Sequence, residues 1–239
     1  MLVALITEFR KLKGSLVTVL CLVAPSLVAV LVGLIALQRP NMHWEFVLTG
    51  ATGLWSFFVL PMSVTALSVL LAQIEHAPRA WDHLLALPIR RWKLFAAKAV
   101  VIMTLVAIMS LLLAAELRLV GELLAMLAPT FAPRGAYDWS LAARILGSMW
   151  LASFFMGMIQ LWVALRFRSF VAPLTIGLAG TFISVAAFNA KEAMFVPWAM
   201  PVSIVGAQGV NAAPALLMGS IGGLATLLLM LAHLSRREA

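Results

Sequence analysis

The sequence predicts an all-α membrane protein with six transmembrane helices and with both termini in the cytoplasm. Hydrophobic residues make up 64% of its 239 residues and charged residues only 11%, whereas soluble domains carry about 25% charged residues. The apolar residues form long runs and do not alternate as barrel strands do, so helices must satisfy the backbone groups in lipid. Most of the chain is therefore expected to be surrounded by lipid.

Six apolar runs are each about 20 residues long or close to it, which is the length needed to cross a bilayer. They are residues 16–37, 51–73, 94–115, 141–165, 170–188 and 212–234, and the fifth is the shortest. A single transmembrane domain of residues 1–239 is expected. Within it, residues 1–15 are expected to form either an interfacial helix or only a positively charged flank of the first span. Residues 116–140 and 189–211 are expected to form external segments.

The distribution of charge gives the orientation. With the N-terminus inside, the inner segments hold twelve basic and four acidic residues, and the outer segments hold five of each. The whole net charge of +8 therefore lies on the inner side, as the positive-inside rule requires. Membrane topology explains the basic composition, so no nucleic acid partner is expected.

The segment between the second and third runs, residues 74–93, holds the densest group of charges. Pro78 suits the first turn of a short helix and Pro88 would end it. Between the two prolines, Trp81, Leu84 and Leu85 share one face. A one-sided helix of about ten residues is too short to span the bilayer. It is either a solvated connector or a docking element for a soluble partner, and we favour docking.

Two further positions within or beside the runs are candidates for a pathway. Pro61 lies near the middle of the second run, where a proline frees a carbonyl and kinks the helix, for transport or only for packing. Glu116 follows the third run closely, together with Arg118, and is either an outer-surface charge or deep enough to touch a substrate. A helix from 94 to 127 would exceed the bilayer thickness, so it must project outwards or bend near Gly121.

The external segment 189–211 is apolar apart from two charges, yet it cannot form one continuous helix because it contains Pro197 and Pro201. Such a stretch is typical of a re-entrant or interfacial hairpin, which must be buried in protein or face water. Pro197, Trp198 and Pro201 are therefore also pathway or gate candidates.

Rows of small residues indicate close helix contacts within the chain or between subunits. Ala215, Gly219 and Gly223 form one row in the last run, and Ser153 and Gly157 form another in the fourth.

Motifs for chemistry are missing from the sequence. None of its lysines follows the glycine pattern of a phosphate-binding loop, its histidines lack metal-ligand spacing, and no Gly-x-Ser-x-Gly motif occurs. The single Cys21 cannot form an internal disulfide. The chain is therefore not expected to be an enzyme, to bind a metal or to hold a cofactor of its own. Any ATP and Mg²⁺ would be bound by another subunit.

The segment around the short helix resembles the cytoplasmic loop of type-2 ABC exporter permeases. Its pattern is Glu75-x5-Trp81-x2-Leu84-Leu85-x2-Pro88-x2-Arg91-x2-Leu94-x3-Lys98. The residues 195–201, FVPWAMP, likewise resemble the stretch before the last span in these permeases. Within the superfamily the chain looks most like lantibiotic-immunity and bacitracin-resistance permeases, and the resemblance covers essentially the whole chain.

This resemblance implies a partner ATPase dimer, which binds the ATP and Mg²⁺, and a second permease chain, identical or homologous, in a bacterial cytoplasmic membrane. The short helix would be the coupling helix. The residues expected to couple to the ATPase are Glu75, Arg79, Trp81, Asp82, Leu84, Leu85, Pro88 and Arg91. The expected function is export of an amphipathic peptide or antibiotic. The alternatives are a non-transporting membrane scaffold or sensor, and an intramembrane enzyme acting on lipids.

Overall fold

The computed structural model describes residues 1–76, 90–187, 193, 195–206 and 212–236. In these ranges the chain is helical, and its only β-bridge is an isolated one between His43 and Arg134. The α-helices are α1 (Leu2–Lys11), α2 (Leu16–Ala36), α3 (Trp44–Leu54), α4 (Leu60–His76), α5 (Arg91–Leu127), α6 (Trp139–Arg166), α7 (Val171–Ala186), α8 (Met200–Gly206) and α9 (Ala212–Ser235).

Five helical stretches in the described ranges are long and apolar enough to cross a membrane. They are Leu16–Ala36, Trp44–His76, Arg91–Leu127, Trp139–Arg166 and Ala212–Ser235. They confirm a multi-pass, all-helical membrane protein. The fifth predicted run contains only the 16 residues of α7, about 24 Å of helix against a hydrocarbon core of about 30 Å. The sixth crossing therefore stays a prediction.

The second stretch begins at Trp44, seven residues before the predicted start at 51, because α3 and α4 are joined by a π-helical turn, Trp55–Val59. Pro61 lies just after this turn, inside α4. A proline lacks an N–H and its ring clashes with the carbonyl of the residue four positions earlier, here Phe57. The wider π-turn contains that residue, so the helix continues through Pro61.

The third stretch, α5, is a continuous helix of 37 residues, about 55 Å long. It does not break at Gly121, so residues 116–127 of the predicted external segment are a continuation of the helix. Gly121 instead provides a close contact, because a Cβ at this position would overlap the ring of Trp44. The start of α3 and the C-terminal part of α5 are therefore packed directly against each other.

Small residues let α9 approach α6 closely. A Cβ on Gly219 would lie 2.7 Å from the Cα of Ala152, and one on Gly223 would overlap the ring of Phe154. Real Cβ atoms essentially never approach other heavy atoms to within 3.0 Å. The predicted row of small residues in the last run thus forms a contact within the chain.

The N-terminal end of α6 is fixed by the segment before it. The Asp138 side chain accepts hydrogen bonds from the backbone N–H groups of Ser140 and Leu141, at 2.8 and 3.0 Å, and caps the helix. The neighbouring Tyr137 is buried and its hydroxyl donates to the carbonyl of Ala114 in α5, at 2.9 Å. These contacts join the start of α6 to the C-terminal half of α5.

Candidate functional site

A ring of four charged side chains lies where α1, α4 and α5 meet. Lys11 Nζ is 2.6 Å from Glu8 Oε1 and 2.9 Å from Glu75 Oε1. Lys98 Nζ is 2.7 Å from Glu8 Oε2 and 2.7 Å from Glu75 Oε1. Each lysine thus contacts both glutamates and each glutamate contacts both lysines, so the charges alternate around a closed cycle. We call these four residues the ionic ring.

The local sequence brings the ring together. Glu8 and Lys11 are three residues apart and share a face of α1, which ends shortly before Gly14. Gly14 has φ +73°, a left-handed conformation that glycine adopts without a steric penalty. This turn separates α1 from α2. Glu75 comes from the last turn of α4 and Lys98 from the third turn of α5, on either side of the loop between these helices.

The ring is shielded from water and electrically neutral. The side chains of Glu75 and Lys98 are 2% exposed and that of Glu8 is 6% exposed, while Lys11 is 24% exposed. Two positive and two negative charges cancel, and every charge has two partners of opposite sign. Buried charges persist only when they are paired in this way, since an unpaired ion in the interior is costly.

The ring shifts the ionisation of its members on α1. Burial raises the pKa of Glu8, but attraction to Lys98 and hydrogen bonds from Lys11 and Lys98 outweigh burial, and the pKa is lowered from its usual value of 4.5. Burial lowers the pKa of Lys11, but hydrogen bonds to Glu8 and Glu75 outweigh it, and the pKa is raised above 10.5. Both groups are therefore held in their charged forms.

The C-terminal end of α4 is also held by contacts with α6 and the turn after it. His76, next to Glu75, places Nε2 3.2 Å from the carbonyl oxygen of Ala164, near the end of α6. Gln73 donates from Nε2 to the carbonyl of Arg168, at 3.3 Å, in the turn after α6. The last turn of α4 is thus joined to α1 and α5 through Glu75 and to the end of α6 through its neighbours.

Most of the residues predicted to couple to the ATPase lie outside the described residues. They are Arg79, Trp81, Asp82, Leu84, Leu85 and Pro88. Of the other two, Arg91 is the first residue of α5 and is partly exposed. Glu75 is buried in the ionic ring, two residues before the segment 77–89.

Sequence reasoning did not find the ionic ring. It included Lys98 in a family pattern and gave Glu8 and Lys11 no role, because the partners are far apart in the chain. Lys98 lies 90 residues from Glu8, and Lys11 lies 64 residues from Glu75. One signal was available, since Lys98 stands among apolar residues of the third run, where an unpaired charge would be costly.

The pathway candidates fall into two separate places. The π-turn that precedes Pro61 packs against both α7 and α8. Trp198 and Pro201, at the start of α8, are buried, and the Trp198 ring lies directly against Gly180 of α7. Pro197 is partly exposed beside them. The proline-containing segment is therefore packed onto the second and fifth apolar helices.

Glu116 lies elsewhere, against α2. Ser26 donates its hydroxyl to Glu116 Oε1 at 2.7 Å, and Glu116 Oε2 is buried and has no hydrogen-bond partner in the described part of the chain. Ser26 is ten residues from either end of α2, about 15 Å along the helix in each direction. This places Glu116 beside the middle of an apolar helix, whereas Arg118 and Glu122 pair with each other at 41% and 47% side-chain exposure.

Among the described residues, no three His, Cys, Asp or Glu side chains are grouped so that they could hold a metal ion.

Residues 4–184 match a family model described as ABC-2 family transporter protein. The match takes in more than half of the 239 residues and runs from α1 into α7. The chain belongs to the ABC-2 transporter family. A search of curated proteins finds no match to the chain. The predicted superfamily is thus confirmed. Membership identifies the chain as a membrane component that works with an ABC ATPase subunit.

The ionic ring has a defined position within this ABC-2 permease. Its four residues lie within the match, and two of them come from α4 and α5, the helices on either side of the segment 77–89 in the sequence. The ends of α4 and α5 that flank this segment therefore meet the N-terminal helix at one buried point.

Proposed function

We propose that this ABC-2 permease is the transmembrane subunit of an ATP-driven exporter in a bacterial cytoplasmic membrane. A partner ATPase dimer, which binds ATP and Mg²⁺, drives it through the loop 77–89. A second permease chain, identical or homologous, completes the pathway. The permease crosses the membrane six times with both termini inside, as the distribution of basic residues favours. The substrate is an amphipathic peptide or antibiotic taken from the membrane.

The ionic ring is the observation that carries this proposal. A loop that receives force needs a stiff base, because a flexible base would absorb the displacement. Here the base is a neutral, buried cycle of four ion pairs joining α1, α4 and α5. ATP-driven closure of the ATPase would move the loop, and the helices on either side of it would carry the movement across the bilayer as rigid bodies.

Within the loop, Trp81, Leu84 and Leu85 would enter an apolar cleft of the ATPase. Arg79, Asp82 and Arg91 would fix the orientation at its rim. A buried tryptophan surrounded by charged rim residues is the usual arrangement of a binding hot spot.

The test uses the tagged permease purified in mild detergent from cells that carry its neighbouring genes. An ABC ATPase should co-purify with it, and cells expressing the complex should resist lantibiotics or bacitracin in an ATP-dependent manner. Trp81→Ala should abolish resistance while the permease remains folded. The matched control is Trp92→Ala, which removes a partly exposed tryptophan at the start of α5 and should leave resistance unchanged.

Two results would contradict the proposal. If no ATPase accompanies the wild-type permease, the chain is not a subunit of an ABC transporter. If Trp81→Ala and Trp92→Ala give the same resistance as wild type, force does not enter through Trp81. If the cells resist neither lantibiotics nor bacitracin, these compounds are not the substrates. Co-purification of an ATPase would still show that the chain is a subunit of an ABC transporter.

A further inference from the structure

We propose that an exposed groove on α2, with Ser26 at its floor and Glu116 behind Ser26, binds the cationic group of an amphipathic ligand. The ligand class is an ammonium or guanidinium group attached to an apolar body. This inference names the substrate class of the proposed exporter, so it rests on the proposed function.

The groove runs along one exposed face of α2. Its walls are Leu22, Val23, Leu27 and Val30, whose exposed fractions are 53%, 56%, 52% and 56%. Among the described residues that line it, Ser26 alone is polar, and it is partly buried between the walls. The volume is about 300 Å³, at the lower end of the range for small-molecule sites. Apolar walls around one hydroxyl suit a ligand with an apolar body and one polar group.

The groove lies at the depth of the hydrocarbon core. Ser26 is ten residues from either end of α2, or about 15 Å along the helix axis, and the core is about 30 Å thick. Strongly hydrated compounds do not reach this depth, whereas amphipathic compounds dissolve in the bilayer. The groove therefore receives ligands that arrive through the lipid.

A carboxyl group without a counter-ion lies behind Ser26. The Ser26 hydroxyl is 2.7 Å from Glu116 Oε1, whereas Glu116 Oε2 is shielded from solvent and has no hydrogen-bond partner in the described part of the chain. Arg118, two residues further along α5, pairs with Glu122 instead. An ionised carboxylate at this depth is costly unless a positive charge accompanies it. A cation from outside the chain completes the site.

Ser26 can connect the ligand to the carboxylate. Its single hydroxyl hydrogen lies within reach of two acceptors, the Leu22 carbonyl at 2.8 Å and Glu116 Oε1 at 2.7 Å, and can be donated fully to only one. When it is donated to Glu116, the lone pairs of Ser26 Oγ remain able to accept from an ammonium group in the groove. With a second hydrogen bond of about 2.8 Å, the ammonium nitrogen lies at most about 5.5 Å from Glu116 Oε1. Opposite charges at this separation attract each other strongly away from water.

A second copy of this chain fits the groove less well than a cation does. Packed symmetrically on α2, it would bring its own Glu116 towards the first. The interface would then gain a negative charge in place of the positive charge that the site lacks. Charge complementarity therefore favours a cationic ligand.

The experiment labels the permease, purified with its ATPase and placed in lipid nanodiscs, with two photoreactive probes. One is dodecylamine with a diazirine in its alkyl chain, which is protonated at neutral pH as a lysine side chain is. The other is the neutral alcohol with the same chain. Mass spectrometry locates the labelled residues, and the probe concentration that gives half-maximal labelling of residues 22–30 is measured.

Four variants test the two binding residues. E116Q removes the negative charge and keeps the size of the side chain, and S26A removes the hydroxyl that connects the ligand to it. The matched controls are E122Q, which changes an exposed glutamate on the same helix, and S26T, which keeps a hydroxyl at the floor of the groove. If E116Q does not fold, S26A still tests the proposal.

In wild type, E122Q and S26T, the amine should label residues 22–30 at a concentration about tenfold or more below that of the alcohol, because hydrogen bonds that involve a charged group are the stronger ones. In E116Q and S26A, the two probes should label these residues at similar concentrations. Labelling by the alcohol should be the same in all five proteins, which shows that the groove itself is intact.

Three results would overturn the proposal. Equal labelling by both probes in wild type would mean that the groove holds only acyl chains. An undiminished preference for the amine in E116Q and S26A would mean that neither residue binds the cation. Labelling of residues 22–30 by neither probe would also refute the site, and disulfide-linked dimers of Val23→Cys in a Cys21→Ala background would then identify the occupant as a second copy. A permease that binds the amine but brings no ATPase with it would instead refute the proposed function and leave the binding site standing.

Discussion

Replacing Lys98 with methionine should destabilise the protein strongly, because the substitution unbalances the ionic ring. Lys98 contributes one of only two positive charges, and its side chain is 2% exposed. Without it, Glu8 and Glu75 remain buried with Lys11 as their one cationic partner in the ring. Breaking a buried ion pair by removing one member costs about 3–5 kcal/mol. For a chain of this length each kcal/mol lowers the Tm by about 2–4 °C, so we expect a decrease of about 6–20 °C.

A second variant separates loss of charge balance from loss of packing. E75Q/K98M removes one charge of each sign, leaves the Lys11–Glu8 pair in α1, and restores neutrality. Replacing a complete buried pair is often close to neutral for stability, so this variant should regain most of the lost Tm. The two single changes should therefore be strongly non-additive.

The assay is thermal unfolding in detergent, followed by intrinsic tryptophan fluorescence, on the purified complex. The control is R118Q/E122Q, whose exposed pair should contribute little, so the Tm should change by about 2 °C at most. A K98M protein with the Tm of this control would show that the ring is not a buried network. A double variant at least as unstable as K98M would show that packing around Glu75 and Lys98, and not charge balance, accounts for the loss.

Three further predictions concern pH, helix packing and helix capping. Because the folded state lowers the pKa of Glu8, its contribution to stability is complete above its unfolded pKa of about 4.3 and is lost as the pH falls through the lower folded value. Because the folded state raises the pKa of Lys11, the contribution of Lys11 to stability is complete below about pH 10.4 and is lost as the pH rises through the higher folded value. The difference in Tm between wild type and E8Q/K11M should therefore be constant from about pH 5 to 10 and should decrease below and above this range. A difference that instead varies across neutral pH would contradict this assignment. Gly219→Ala should lower the Tm and separate α9 from the backbone of α6, with which it is in contact, whereas Gly147→Ala, in an open position on α6, should not lower it; equal effects of both substitutions would argue against the close contact. Asp138→Ala should lower the Tm by removing the cap of α6 and Asp138→Asn should largely preserve it, since an amide oxygen can accept the same hydrogen bonds; a loss of equal size in both would mean that the charge, not the cap, stabilises the helix.

The apolar helices were largely predictable from the sequence because the length of an apolar run is a direct physical requirement of the bilayer. The start of the second helix at Trp44 was not predicted, because polar residues such as Glu45 suggested a loop. The π-turn before Pro61 was also missed, since a mid-helix proline indicates a kink and does not specify how the backbone absorbs it. In the last run, the row containing Gly219 was correctly recognised as a close contact, and the structure identifies α6 as its partner.

The charged residues were harder to place, because their positions depend on contacts between distant parts of the chain. Glu75 stays a predicted coupling residue, and nothing in the sequence indicated that its carboxylate lies inside the protein with Lys11 and Lys98. Glu116 was weighed as a surface charge or a deep one, and its bond to Ser26 places it beside the middle of α2. Spacing along one chain cannot give such pairings, because Lys98 lies 23 residues from Glu75 and the other partners, Lys11 with Glu75, Glu116 with Ser26 and Lys98 with Glu8, are 64 to 90 residues apart.

The unbroken length of α5 has a mechanical consequence. An α-helix of about 55 Å without a hinge behaves as a stiff rod, so a tilt of only about 10° displaces one end by about 10 Å relative to the other. Its N-terminal part carries Lys98, and its C-terminal part holds the Trp44 ring against Gly121. A small tilt of this rod near Lys98 would therefore move the start of the second membrane-spanning stretch at the other end of the rod, without any change of conformation in between.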